Sequence, residues 1–388
     1  MKHLRIPGLL LIVALALAAC QQSGGGEMLE ELGDGEGAVN LVIWSGYAED
    51  GSAYPEFNWV TPFEEETGCE VNSTVMADSA NGVQLLRSGE YDGGSFSGNA
   101  TDRLMAAGDV APVNVDLIPN YANIFEDLKL QPHNSLDGVP YGVPHGRGPN
   151  LLAWNTAEVE PQTTQNGLWE DAGNYEGQLS IFDSPDFIAD ATLHLMATQP
   201  DLGITNPYQV NQEQFDAAIA LLEEQNTHNP QFWNGATFAD QITAFAAGDI
   251  TIGTTWQYQV NSLAGNDPAI EAVKPEEGAT GWSDTWMISS QAEHPNCMYM
   301  WMNHMASAEA NGQATVYFGE APTSPEACEY AESIAPGHCE QTHADDTAYW
   351  EDIWYWSTAR EDCADDDDAT TCVDYDAWTE AWTTLRGG

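Results

Sequence analysis

The sequence predicts an α/β protein made of two units of similar build. Three observations carry that reading. Strand and helix patterns alternate from residue 41 to residue 92, the alternation starts again near residue 178, and a 388-residue chain has length for two cores. Leu41-Val42-Ile43-Trp44 is a short apolar run ending in Ser45-Gly46, as a buried strand running into a loop would be. Thr61-Pro62-Phe63-Glu64 has the capping-box spacing with proline at the first helical position, and Gly68 falls where a C-cap belongs. Residues 69–75 alternate as a strand, Val83, Leu85 and Leu86 before Gly89 predict a helix, and Tyr91-Asp92 opens another strand. This order is the grammar of a parallel sheet.

The second unit repeats it. Residues 178–182 read as a strand and 188–196 as a helix; residues 211–225 form the clearest helix, with Phe215, Ala218, Ile219 and Leu222 on one face and Asn211 and Gln214 at its start. Ile250 and Ile252 then lead a strand into Trp256. Beyond Trp286 the chain turns helical and aromatic. Met298, Trp301 and Met302 share a face, as do Trp350 and Trp354, and Trp378 and Trp382, and these pairs read as core packing. No solenoid or propeller period occurs.

Lys2 and Arg5, the apolar run over residues 9–17 and the ending Leu17-Ala18-Ala19-Cys20 make an export signal too short to span a bilayer. The ending resembles a bacterial lipobox, which implies cleavage before Cys20 and lipidation of that cysteine. Several acyl chains on one residue anchor durably where one does not. Residues 21–26 then read as a polar leash, and the whole of 21–37 as a flexible tether.

The chain carries 61 acidic against 9 basic side chains, and loss of the leader removes two of those cations and no acid. Such a surface repels nucleic acid and anionic lipid. Two readings compete for the charge: attraction of a cationic ligand, or adaptation of the entire surface to brine. The acids do not cluster and only three lysines occur, which favours brine. The Debye length there is roughly 3 Å at 1 M salt, so the charge steers little. Disorder is excluded by fourteen Trp, fourteen Tyr and 43% hydrophobic content.

Six cysteines remain after Cys20, and an even number in an exported protein reads as three disulfides. Spacing alone leaves fifteen pairings open. The reading favours the short loops Cys328–Cys339 and Cys363–Cys372, which leaves Cys69–Cys297. No CxxC is present, and the acidic run over residues 365–368 lacks the alternation and glycine turn of a calcium loop.

Catalytic motifs are missing. In Gly94-Ser95-Phe96-Ser97-Gly98 phenylalanine stands where a nucleophile elbow needs serine; no phosphate loop and no His-Glu-x-x-His occurs, and the histidines are scattered. No cofactor or metal is expected. Aromatic residues beside carboxylates point instead to binding. Trp44 and Tyr47 follow one strand, Trp256 and Tyr258 another, and Gly281-Trp282-Ser283-Asp284-Thr285-Trp286 sits where the chain changes character. Strand ends in open α/β sheets share a crevice, so these rings can converge on an amine, which indole faces and a carboxylate together attract.

Ile43-Trp44-Ser45-Gly46-Tyr47, residues 63–71, Tyr91-Asp92, Tyr141-Gly142-Val143-Pro144, residues 148–152 and residues 275–284 together resemble the spermidine/putrescine-binding family of bacterial ABC-importer solute-binding proteins, in a branch with a segment like His294-Pro295-Asn296-Cys297. The resemblance implies a type II periplasmic-binding-protein fold: two lobes, two crossovers near residues 141–155 and 281–290, and closure on a ligand. Lobe one is then residues 38–142 plus 288–388, with hinge and lobe two over 143–287, an arrangement that puts Cys69 and Cys297 in one lobe. It implies ligand-binding roles for Trp44, Tyr47, Ser97, Trp256, Trp282 and Asp284. Asn99 stands where the family has tyrosine, and the acidic pair of lobe two falls on Ser184 and Phe187, with Asp183 and Asp186 one position off. Arg147 lies in the segment expected to line the cleft, and a guanidinium there repels amines and forks onto carboxylates.

The expected function is capture of a polyamine-like amine and its delivery to a membrane permease powered by a cytoplasmic ATPase, by a monomer whose only membrane contact is its lipid anchor. A zwitterion or quaternary ammonium, such as a γ-amino acid or betaine, is the alternative ligand that Arg147 raises. An envelope hydrolase and an assembly lipoprotein are the rivals from other classes.

Overall fold

The computed structural model describes residues 26–363 and 371–387, so the leader, Cys20 and the acidic run 365–368 lie outside the described residues. Two sheets with helices packed on them form a two-lobed α/β fold. In the first sheet Glu70–Val75, Ala38–Ile43 and Gly93–Phe96 are parallel neighbours. Ala279–Ile288 runs antiparallel beside Gly93–Phe96 and also pairs with Gly142–Pro149, while its first residues pair with Ile353–Tyr355. The second sheet has the order Ile270–Val273, Leu151–Asn155, Ile252–Thr255, Leu179–Phe182, Gln231–Trp233. Only Asn150 separates the strand of one sheet from the strand of the other at the first passage; the return runs along Ala279–Ile288.

Each lobe is held by its own core. Leu41, Ile43, Phe63, Trp286 and Trp301 are buried in the first, and Leu179, Phe187, Phe215 and Trp378 in the second. Fully burying one such side chain contributes about 1.5–3 kcal/mol. The helix Val60–Thr67 ends as its sequence predicts, on Gly68 in the left-handed region (φ 72°). Its start differs from the predicted box. Thr61 lies inside the helix, and Asn58 Oδ1 accepts from the Thr61 amide at 3.1 Å in its place. The Asn211/Gln214 box does cap the helix Gln212–Asn226.

Three expectations need correction. Trp350 ends a short helix, but Trp354 stands in Ile353–Tyr355 and pairs in register with Thr280. Sheet pairing thus wins over the helical spacing of these two rings. The tether reading of 21–37 also fails for its later part. Gly33 N–H donates to Asn296 Oδ1 at 2.6 Å, and Glu36 accepts from the amides of Asn296 and Cys297 at 3.0 and 2.9 Å, which pins the segment to the first lobe.

Residues beyond Trp356 were expected in lobe one. The chain instead passes over a third time, and Trp356, Val373, Trp378, Trp382 and Leu385 are buried in the second core. The helix Tyr375–Gly387 supplies a wide aromatic face that Phe187, Tyr208, Phe215 and Phe232 of lobe two cover.

Cys69–Cys297, Cys328–Cys339 and Cys363–Cys372 are disulfide-bonded. The first closes a loop of 228 residues and ties the strand Glu70–Val75 to the helix Pro295–Met305. A cross-link of that length removes much freedom from the unfolded chain. Replacing both Cys69 and Cys297 by serine is expected to lower unfolding free energy by about 2–5 kcal/mol, read as a lower urea midpoint. An unchanged midpoint would mean that the bond adds nothing.

Candidate functional site

Between the sheets lies a cavity of about 370 Å³, near the small end of the roughly 300–1,000 Å³ of small-molecule sites. The ends of Ala38–Ile43 and Gly93–Phe96 supply Trp44, Tyr47, Ser97 and Asn99 from one side. The ends of Leu179–Phe182 and Ile252–Thr255 supply Asp183, Asp186, Trp256 and Tyr258 from the other, and the crossing strand contributes Trp282 and Asp284. Parallel strands direct their carboxyl ends to one crevice, which is why residues so far apart in sequence meet.

Asp284 is the centre of the arrangement. Tyr47 Oη donates to its Oδ2 and Ser97 Oγ to its Oδ1, both at 2.6 Å. Ser97 is the N-cap of the helix Gly98–Ala107, yet its hydroxyl caps no amide and serves the carboxylate. Burial pushes the Asp284 pKa up to about 6, against the lowering by the two hydroxyls. Keeping the carboxylate charged here is uphill by about 3 kcal/mol relative to water. The Tyr47 ring is fixed by His145 and Phe318 at 4.3 and 4.7 Å between centroids.

A second carboxylate, Asp186 in the turn Pro185–Phe187, is met by Asn99, two residues past Ser97 on the first helix turn. Asn99 Nδ2 and Ser184 Oγ each donate to Asp186 Oδ2 at 2.6 Å, and Ser79 Oγ holds Asn99 by donating to its Oδ1 at 2.9 Å. Burial raises the Asp186 pKa, and its Oδ1 has no hydrogen-bond partner. Asn99 therefore links one lobe to the other through a buried acid.

Rings complete the wall. Trp256 is held by Nε1–H donation to Asn150 Oδ1 at 2.8 Å, and its ring lies 4.9 Å from Trp233, 5.6 Å from Phe182 and 6.2 Å from Trp282. Trp282 lies flat on Gly148, where a Cβ would stand 2.5 Å from the indole, so only glycine fits. Tyr258 packs edge-on to Phe238 at 5.3 Å. Phe182, Trp356, Tyr375 and Trp382 also line the cavity and were not foreseen; the last three lie in aromatic stretches that read as core.

Arg147 is corrected. It is 2% exposed and does not line the cavity; Nη1 donates to Asp127 at 2.8 Å and the guanidinium lies 4.1 Å over Trp350. Strand alternation explains this, because Gly146 and Gly148 face Glu320 and Trp282 and Arg147 takes the opposite side. Asp183 lines the cavity, but its Oδ1 accepts from Trp382 Nε1 and from Arg386 Nε, both at 3.0 Å. Trp286 also departs from the expected convergence. Two residues past Asp284 it is already inside the first core, where Nε1 donates to His145 Nδ1 at 3.0 Å.

Every lysine and arginine among the described residues has a hydrogen-bond or ion-pair partner, two of them, Arg103 and Arg386, on residues of the cavity wall. Arg87 pairs with Asp109, Lys129 with Glu126 and Arg147 with Asp127. Arg103 donates to the Asn99 carbonyl, Lys274 to that of Tyr349, Arg360 lies 4.0 Å from Asp102, and Arg386 pairs with Asp183. None of them lines the cavity.

Two predictions follow from this geometry. Because the folded-state pKa of Asp284 lies above its ordinary 3.8, the stability linked to it is full below that value and is lost as pH rises through about 6. Asp284→Asn should therefore match the parent in urea midpoint near about pH 4 and exceed it near about pH 8, by on the order of 2–3 kcal/mol; equal midpoints at both would refute a strained carboxylate. Arg147→Ala should cost about 2 kcal/mol or more of stability, since a buried guanidinium and its ring contact are lost, and should leave ligand affinity unchanged in calorimetry.

The model of the family described as bacterial extracellular solute-binding protein matches residues 58–341. A putrescine/agmatine-binding protein of Pseudomonas aeruginosa is 24% identical over 285 residues, covering 68% of this chain and 76% of that protein. The spermidine/putrescine-binding periplasmic protein of Escherichia coli is 21% identical over 280 residues, with 66% and 74% covered. Among solved structures, a spermidine/putrescine ABC transporter substrate-binding protein of Streptococcus pneumoniae superposes with a TM-score of 0.67 at 17% identity, covering 90% of this chain and 97% of that one. These relatives bind solutes and are not enzymes. With a two-lobed fold, a cavity at the strand ends and a family match over most of its length, the chain belongs to the bacterial extracellular solute-binding proteins.

Proposed function

We propose that this chain is the extracytoplasmic binding protein of an ABC importer, held to the envelope by lipid on Cys20, and that its solute is a short polyamine-like amine of the putrescine class. The observation that carries the ligand class is Asp284, a buried carboxylate between two hydroxyls with no cationic side chain paired to it among the described residues. An ammonium entering there supplies the missing counter-charge. Trp44, Trp256 and Trp282 offer ring faces to the methylene chain and to the cation, each cation–π contact adding about 0.5–2 kcal/mol. Asp186 offers a second acceptor. A zwitterion is disfavoured, since its carboxylate would meet no lysine or arginine in the lining and two buried acids.

Closed around its ligand, the protein would dock on a permease, and the tether would keep it near that partner. The acidic surface we read as adaptation to brine, since the site itself rests on two buried carboxylates rather than on the surface excess.

The test is calorimetry in high KCl on the chain from residue 21 onward, titrated with putrescine, spermidine, γ-aminobutyrate and glycine betaine. Putrescine should bind, and Asp284→Asn should weaken it by about 2–5 kcal/mol, the loss on truncating a buried charge partner. Binding of a zwitterion with no response to amines would overturn the ligand class.

A further inference from the structure

The helix Tyr375–Gly387 lies beyond the span that the family model matches, yet Tyr375, Thr379, Trp382 and Thr383 line the cavity. It is seated firmly. Trp378 is fully buried against Phe215 and Tyr208, and Asn226 Nδ2 donates to the Leu385 carbonyl at 3.2 Å. From that helix Arg386 reaches Asp183 with two nitrogens, Nε to Oδ1 at 3.0 Å and Nη2 to Oδ2 at 3.3 Å, while its guanidinium stacks 3.5 Å over Phe232. Trp382 Nε1 adds a third donor to the same carboxylate.

A forked guanidinium occupies both oxygens of a carboxylate and cancels its charge. Asp183 therefore faces the cavity as a neutralised acid. Of the other three carboxylates in the lining, Asp78 is exposed and caps the helix Ser79–Arg87 by accepting from the Asn81 amide, while the two buried ones, Asp284 and Asp186, have no arginine within ion-pair distance among the described residues, the Arg103 charge acting on Asp186 only from farther off. We propose that this helix is the length-selecting wall of the site: through Arg386 it withdraws Asp183 from the ligand, and the site so built prefers a diamine to a triamine. The inference rests on the amine reading above. It assigns specificity to residues outside the matched span.

The pair is partly exposed, with Arg386 at 36% and Asp183 at 25% side-chain exposure, so loss of Arg386 should leave the fold intact. Removing it frees Asp183 Oδ2 from its donor. The experiment compares putrescine and spermidine by calorimetry on the parent, Arg386→Ala, and Arg386→Ala combined with Asp183→Asn. The parent should bind putrescine at least about tenfold more tightly than spermidine. Arg386→Ala should strengthen spermidine about tenfold or more while moving putrescine less than about threefold, and the double variant should return to the parental ratio. A parental preference for spermidine, a ratio that Arg386→Ala leaves unmoved, or a gain that persists in the double variant overturns the wall. A parent that binds neither amine overturns the amine reading itself, and the wall with it.

Discussion

One buried carboxylate organises this molecule. Asp284 can stay charged only because Tyr47 and Ser97, from two different strand ends, deliver hydroxyls to it at hydrogen-bond distance. Their delivery in turn requires the parallel pairing of Ala38–Ile43 with Gly93–Phe96 and the antiparallel insertion of Ala279–Ile288 beside them. A small slip in that register would leave an acid without donors in a low-dielectric interior, where an unpaired charge is severely penalised. Fold and site are therefore one problem here. Burial and the two hydroxyls pull the Asp284 charge in opposite directions, and burial is the larger influence.

Around that acid the two lobes contribute unlike chemistry. The first gives the hydroxyls of Tyr47 and Ser97, the Asn99 amide and one indole, Trp44; the second gives Trp256 and the acids Asp183 and Asp186, and Asn99 with Asp186 joins them across the cleft. Rings are suited to the role because they are rigid and supply both apolar area and a negative face. Gly148 of the Gly142–Pro149 strand lets the Trp282 ring lie against backbone, and Trp282 and Asp284 of the crossing strand line the cavity, so the crossing region is both connection and lining.

Much of this was legible in the sequence, for a local reason. Strands and their following loops announce themselves through short apolar runs and glycine stops, and Trp44, Tyr47, Ser97, Trp256, Trp282 and Asp284 all belong to such strands or their ends. Topology then does the converging. What failed needed knowledge of facing rather than position. Arg147 and Gly148 are neighbours in sequence but opposite in direction, and nothing local says which of them meets the cleft. Trp354 mimics a helical partner of Trp350 until an open strand edge claims it. The last helix was invisible as a wall because its aromatic residues serve core and cavity together, and Trp382 does both.

The scarcity of cations has a consequence of its own. In a protein of ordinary composition, a flexible lysine near an empty acidic cleft can swing in and act as a stand-in for the substrate, so that each capture must first evict an internal competitor. Here none of the described lysines and arginines lines the cavity, and the two that touch its wall are held, Arg386 forked onto Asp183 and Arg103 donating to the Asn99 carbonyl. A solute entering the cavity therefore has no lysine or arginine of the described chain to displace from its lining.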